Sequence, residues 1–331
     1  MSFIISRRVL FSQVSRTAVS CSYIRTYQSQ QPFKGSNMAA IIDTVKSTIA
    51  ENFGGASQEV VDGALDSISG ELGPETARKV TFIRCDMGDW SRVAAVAKEI
   101  ADSTDRVDIL INNAARGIMT YTLTEDDGVD RHMAVNHMGH VILTSHLLPL
   151  MKRTAEKGNT VRVVTLGSNA HQATPSDCKF ESLEELNQDL GPNGQYGRSK
   201  LAQMLYVRYL AKHLTSRYPK ILANTVHPGF VDTKMSRDDI HEPYPLAGYA
   251  MSVGMAPFKK DQWMGATSAL YSATKTEKSG EYICPPAVPE QGSCLFQSDE
   301  LMENLMTLTR QVVKEKTRSE SVDKGCPFEF V

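Results

Sequence analysis

The sequence predicts an α/β fold, a doubly wound parallel sheet covered by helices on both faces. Three observations predict it. Short β-branched runs such as Val161–Leu166 and Ile221–Val226 alternate with longer stretches whose apolar residues recur at helical spacing. These units follow one another without internal repeats or a second domain boundary. The polar residues that stand out fall just after predicted strands, where open parallel sheets bind ligands.

In chain order, the regular pattern begins with a helix over 59–71. A strand over 80–86 follows, Val80-Thr81-Phe82-Ile83-Arg84-Cys85-Asp86. The next helix carries Val93, Val96 and Ile100 on one face. Residues 107–113 read as a short buried strand, and 128–157 as a long helical region. Val161–Leu166 is a strand, 196–218 a helix and Ile221–Val226 a strand that runs into His227-Pro228-Gly229. Residues 235–262 contain Met251, Met255, Pro257 and Phe258 and read as a loop-rich lid. A helix over 266–273, a strand over 281–284 and a C-terminal helix over Asp299–Lys316 close the domain.

Bulk properties exclude several classes. The 331 residues carry a net charge of -2, so no general affinity for nucleic acid or an anionic membrane follows. No apolar run approaches the ~20 residues of a membrane span. The cysteines, Cys21, Cys85, Cys178, Cys284, Cys294 and Cys326, are scattered without a Cys-x-x-Cys and read as reduced thiols. His132, His137, His140 and His146 lack a third placed ligand and read as packing or surface residues, with no metal site.

The N-terminus differs from the rest. Residues 1–42 contain Arg7, Arg8, Arg16, Arg25 and Lys34 but no acid before Asp43. Val9, Leu10, Phe11 and Val14 can form an apolar helical face opposite Arg8 and Arg16. An Arg-rich, acid-poor, amphipathic start is the pattern of a mitochondrial transit peptide. Residues 1–35 are therefore expected to be such a peptide or a disordered basic tail, and the location mitochondrial, otherwise cytoplasmic. Residues 36–58 read as a linker with a weak helix, and 317–331 as a tail.

The strongest chemical signal is Tyr196-Gly197-Arg198-Ser199-Lys200. Residues i and i+4 share a helix face, so the Lys200 ammonium is placed to depress the Tyr196 phenol pKa. A phenol that gives up its proton near neutral pH is a general acid/base for carbonyl chemistry. Other polar residues follow the strands: Asp86, then Asn112-Asn113-Ala114-Ala115, then Gly167-Ser168, then Pro228-Gly229 with Thr233.

Together with Val135-Asn136-His137-Met138-Gly139-His140, these motifs have the order and spacing of the short-chain dehydrogenase/reductase family. The chain resembles its retinol dehydrogenase and WW-domain oxidoreductase branch, in the Val-Asn-His-Met-Gly-His element, the long Ser168-to-Tyr196 insertion and Pro285-Pro286 before the last helix. The likeness spans roughly 59–316. It implies a Rossmann-like fold, a bound NADP or NAD, and hydride transfer to or from an alcohol or carbonyl of a small apolar molecule. By position it implies that Tyr196 exchanges a proton with the substrate oxygen and Ser168 hydrogen-bonds that oxygen. Lys200 lowers the phenol pKa and holds the nicotinamide ribose, and Asn136 holds a water that relays protons to Lys200. Asp86 and Met87 meet adenine. Asn112, Asn113 and Ala114 line the adenosine ribose, and Pro228, Gly229 and Thr233 meet the nicotinamide. A homodimer through helices over 130–151 and 196–218 is a further family expectation.

One family feature is absent. The usual strand followed by Thr-Gly-x-x-x-Gly-x-Gly at a helix start, which cradles the pyrophosphate, occurs nowhere. The first βαβ unit, on the order of 40–50 residues, is read as missing between Ser57 and Gln58, which leaves the domain over 59–316 incomplete. The predicted strands over 80–86 and 107–113 then lose their common neighbours and must pair with each other or leave open edges. An alternative reading follows: a non-catalytic splice form or incomplete gene model that cannot bind the dinucleotide.

Overall fold

The computed structural model describes residues 2–6, 9–13, 80–229, 231 and 262–316. The predicted linker, the helix over 59–71, the C-terminal tail and all but the last residue of the lid lie outside them.

Among the described residues eight strands form one sheet: β1 (Ser2–Ser6), β2 (Val9–Gln13), β3 (Val80–Arg84), β4 (Ile109–Asn112), β5 (Val161–Leu166), β6 (Ile221–Val226), β7 (Tyr282–Cys284) and β8 (Val288–Glu290). Their spatial order is β3-β1-β2-β4-β5-β6-β7-β8. The pairs β2–β4, β4–β5, β5–β6 and β6–β7 are parallel. Strand β1 is antiparallel to both β2 and β3, so β3 runs the same way as β2. Only β1 and β8 run against the other six. The sheet is thus a mostly parallel, Rossmann-like one, as the alternation of strands and helices predicts.

The expected consequence of a missing βαβ unit does not hold for the sheet itself. Strands β3 and β4 neither pair nor face an empty gap, because the β1–β2 hairpin lies between them. Register runs from Ser2↔Arg84 to Ser6↔Val80 on one side and from Val9↔Ile109 to Ser12↔Asn112 on the other. Residues 9–13 are therefore a strand and not the helical face read from Val9, Leu10 and Phe11. Short apolar runs fit both periods, and two open ladders of backbone donors and acceptors select the strand.

Among the described residues the α-helices of four residues or more are α1 (Trp90–Ser103), α2 (Gly139–Glu156), α3 (Leu183–Leu186), α4 (Gly191–Leu210), α5 (Gln262–Thr274), α6 (Cys294–Gln297) and α7 (Asp299–Lys316). Asp89 caps α1 by accepting from the Arg92 amide at 2.9 Å, and Val93, Val96 and Ile100 are buried as the spacing predicts. A short α-turn (Arg131–Met133) and a π-helical turn (Ala134–Met138) lead into α2. Its first residue, Gly139, has no room for a side chain: a Cβ would sit 2.3 Å from the Met87 carbonyl oxygen.

Strand alternation divides the core. Leu110, Val161, Val163, Ile221 and Ala223 pack into the larger cluster with residues of α1, α2, α4 and α7. Ile109, Ile111, Val164, Leu166 and Val226 pack on the other face with Ala273 of α5. The strands over 161–166 and 221–226 have the predicted bounds, and α7 does too.

Deleting residues 1–13 exposes the ladder edges of β3 and β4. The truncated chain is expected to lose its cooperative urea transition, followed by circular dichroism. A transition with an unchanged midpoint would show that the hairpin contributes nothing to the sheet.

Candidate active site

Because six strands point the same way, the C-terminal ends of β3, β4, β5 and β6 open on one edge. After β3, Asp86 is exposed and its Oδ1 accepts from the Gly88 amide at 2.9 Å, while Met87 is buried. At the end of β4, the buried Asn112 donates from Nδ2 to Thr144 Oγ1 at 3.1 Å. Ala114 is buried, and its carbonyl lies 2.7 Å from His140 Nε2. A carbonyl only accepts, so that nitrogen of His140 carries the proton. Asn113 is half-buried between them. After β6, Pro228 and Gly229 are half-buried, and Gly229 has φ 83, which glycine adopts without strain. Thr233 lies outside the described residues.

Asn136 sits in the π-helical turn and is fully buried. Its Oδ1 accepts from the Arg116 amide at 2.6 Å. Its Nδ2 donates to the Arg116 carbonyl at 3.0 Å and to Ser199 Oγ at 2.8 Å. The side chain therefore ties the loop after β4 to α4, and makes its bonds there and not to Lys200. Such π turns are frequent at functional sites.

Helix α4 begins at Gly191, before Tyr196, with Pro192 in its first turn. Lys200 is buried, and its ammonium donates to the Leu166 carbonyl at 2.8 Å and to Gln203 Oε1 at 2.9 Å. Two of its three donors are thus used on neutral oxygens. Burial pulls its pKa down to about 7. Its nitrogen stands 5.6 Å from the centroid of the Tyr196 ring, which is half-buried at the same edge. Between the two, Gly197 lets α4 close on the turn after Ser168, since a Cβ there would lie 2.6 Å from the Ala170 carbonyl oxygen. Ser168 caps the 3-10 turn Asn169–Ala173, its Oγ accepting from the Ala170 amide at 3.1 Å. Its carbonyl is 2.7 Å from His171 Nδ1. Tyr196, Lys200, Ser168 and Asn136 are thereby gathered around one helix.

Several supports of the site lie outside the motifs. Gln203 follows Lys200 by three residues and so shares its helix face, a signal that was available. His140, Thr144 and His171 act across the fold and had none. Arg198 is buried and donates to the carbonyls of Glu185 and Leu186 and to Gln195 Oε1, pinning the Ser168-to-Tyr196 insertion beneath α4. His137 Nε2 bonds Thr309 Oγ1 at 2.8 Å. Among the described residues no group of three His, Cys, Asp or Glu is placed to hold a metal. Burial raises the Cys178 thiol to about 12, so it is not a nucleophile.

The family model described as short chain dehydrogenase matches residues 43–177. An oxidoreductase named bli-4 and labelled mitochondrial, from Neurospora crassa, is 54% identical over 279 residues, 83% of this chain and 68% of that protein. A short-chain dehydrogenase/reductase of Armillaria gallica is 31% identical over 72% of this chain and 77% of its own length. Human retinol dehydrogenase 14 is 32% identical over 71% of each. A crystal structure of an uncharacterised protein from Mycobacterium paratuberculosis superposes with a TM-score of 0.51 at 28% identity, covering 69% of this chain and 74% of that one. On this likeness, and on an arrangement of strand ends and helix that matches it, the chain belongs to the short-chain dehydrogenase/reductase family.

Proposed function

We propose that the chain is an NAD(P)-dependent oxidoreductase that interconverts an alcohol and a carbonyl on a small apolar molecule. The observation that carries this is Lys200, a buried cation bonded only to neutral oxygens, one helical turn from Tyr196. A fold gains nothing from an ammonium held this way, because burial costs it hydration and no carboxylate offsets the loss. Strongly perturbed groups of this kind cluster where chemistry is done.

When bound, the nicotinamide supplies or accepts the hydride. Tyr196 donates a proton to the carbonyl oxygen, or removes one from the alcohol. The Lys200 charge favours the phenolate and so makes that transfer easier. Ser168 Oγ accepts from Ala170, and its O–H makes only a long bond of 3.4 Å to Asn169 Oδ1, which a substrate oxygen can displace to receive that donor and have its charge stabilised. The remaining Lys200 donor suits a ribose hydroxyl. Asn112, Asn113 and Ala114 are assigned the adenosine ribose, Asp86 and Met87 the adenine, and Pro228, Gly229 and Thr233 the nicotinamide. Asn136 shapes this site through Arg116 and Ser199. An apolar substrate is supported by the retinol named for one relative and by Met251, Met255, Pro257 and Phe258 in the sequence segment expected to form a lid. A homodimer through the helices over 130–151 and 196–218 is supported by the family resemblance alone.

A mitochondrial location is supported by the acid-free, arginine-bearing residues 1–42 and by the name of the Neurospora relative. Removal of a leader and retention of the β1–β2 hairpin make opposite demands on residues 1–13.

A second reading has its own observation. Strand β2 lies parallel to β4, where the family's first strand would be, yet no glycine follows it before Gly35. Without a glycine cradle the pyrophosphate end is unsupported, and the chain would be a form that binds no dinucleotide.

Fluorescence titration of the purified chain with NADPH and NADH decides between the readings: saturable binding is expected, and its absence for both removes the enzyme reading. Tyr196→Phe should then lower turnover of an apolar aldehyde by about 10²–10⁴-fold while leaving that titration unchanged; retained turnover would remove Tyr196 as the acid. The Lys200 pKa is lower in the folded chain than in the unfolded one. Between about 7 and the ordinary lysine value the unfolded state binds the extra proton, so stability rises with pH through that window. Lys200→Met should therefore raise Tm most below pH 7, with a gain that shrinks towards pH 10. A gain independent of pH would contradict a buried, titrating ammonium.

A further inference from the structure

The side chain that does most to hold Ser168 is one that no motif includes. His171 is fully buried in the middle of the 3-10 turn, and both of its ring nitrogens are engaged. Nδ1 lies 2.7 Å from the Ser168 carbonyl oxygen, and Nε2 lies 3.1 Å from the Ser293 amide nitrogen. A backbone amide can only donate, so Nε2 is the bare acceptor and Nδ1 carries the proton. Nδ1–H then donates to Ser168. The ring is boxed edge-on by Tyr282 at 5.5 Å and Phe296 at 6.3 Å, which fixes its plane. A protonated imidazole would turn an N–H against the Ser293 N–H, so this arrangement is one for a neutral ring, and burial lowers its pKa accordingly.

The consequence reaches the reacting edge. The Ser168 carbonyl takes the His171 ring and the His171 amide, the latter at 3.1 Å. That holds Ser168 at ψ 150 and so aims Oγ at the Ala170 amide. The other end of the ring rests on Ser293, which caps α6 by accepting from the Phe296 amide at 3.3 Å. The Phe296 carbonyl in turn accepts from Arg208 Nη1 at 2.7 Å, and Arg208 is on α4 with Tyr196 and Lys200. The segment around α6 thus grips Ser168 through His171 and α4 through Arg208.

We propose that His171 is a positioning residue for Ser168: a neutral imidazole, held as the Nδ1–H tautomer by Ser293, that sets the direction of the Ser168 hydroxyl and links it to the C-terminal segment. This rests on the reading of Ser168 as the residue that meets the substrate oxygen.

The test separates the hydrogen-bond relay from that reading. In the purified full chain labelled with 15N-histidine, the His171 ring, identified by its loss in His171→Asn, should show the Nδ1–H tautomer at pH 7.5. The Nε2–H tautomer, the commoner one in free histidine, would overturn the proposal whatever the activity. In the uniformly 15N-labelled chain, the Ala170 amide, bonded to Ser168 Oγ, reports the hydroxyl. Its resonance should stay in place in His171→Asn, whose amide can replace the Nδ1 donor, and move in His171→Gln, whose amide reaches the Nε2 position instead. Turnover of decanal with NADPH or NADH should fall roughly 10- to 100-fold in His171→Gln, with KM and cofactor titration unchanged, and recover in His171→Asn. Equal effects of the two variants would reduce His171 to packing. Full activity in Ser168→Ala would instead remove the reading of Ser168 while the tautomer still decides the bond.

Discussion

The Lys200 ammonium donates to the carbonyl of Leu166, the last residue of β5, and that bond sets the rotation of α4 on the sheet. With Lys200 anchored there, Tyr196 one turn earlier must face the edge where the strands end. Ser199, the residue before the anchor, meets Asn136 and through it the loop after β4. Gly197, the residue after Tyr196, closes on the turn that Ser168 caps. Sliding α4 by one residue would break all of these together and leave a buried ammonium with no acceptor, which costs far more than any single contact.

The anchor has meaning only because the strands agree in direction. Six of the eight point the same way, so residues that follow different strands meet at one edge. Strand β1 runs against them and lets a short hairpin occupy the space between β3 and β4. A family member fills that space with a parallel unit whose glycine loop holds phosphate. Here the same backbone ladders are satisfied by a hairpin, and the sequence after β2 carries Val14-Ser15-Arg16-Thr17 instead of glycines. Satisfying a sheet and cradling a pyrophosphate are separate tasks, and a hairpin performs only the first.

Buried histidines act as the struts around this edge. His140 supports the Ala114 carbonyl, His137 bonds Thr309 on α7, and His171 joins Ser168 to Ser293. Burial holds His137 at about 3 and His140 at about 4, so both are neutral at any ordinary pH. A neutral imidazole has one donor and one acceptor and can bridge a carbonyl to an amide without burying charge.

Local pattern alone was enough for β5, β6 and α7, because their β-branched runs and heptad-like apolar spacing admit one period over their whole length. The pairing of Tyr196 with Lys200 was equally legible, since i and i+4 face one way on any helix. The order of strands and helices determined the edge at which Asp86, Asn112, Ser168 and Gly229 gather. Short pieces were not legible: β8 is three exposed residues, and the 3-10 turn after Ser168 and helix α3 are too brief to show a period. The segment over 9–13 fits a helix or a strand, and only the unpaired edges of β3 and β4 made it a strand. Tertiary structure alone also decided what Asn136 and His171 bond, because their partners at Ser199 and Ser293 are distant in the chain and hydrogen-bond geometry is set by how elements pack. Sequence determined the period of each long element and the chemistry it carries; packing decided the short elements and the partners, since a buried polar group takes whatever donor or acceptor the fold brings within reach.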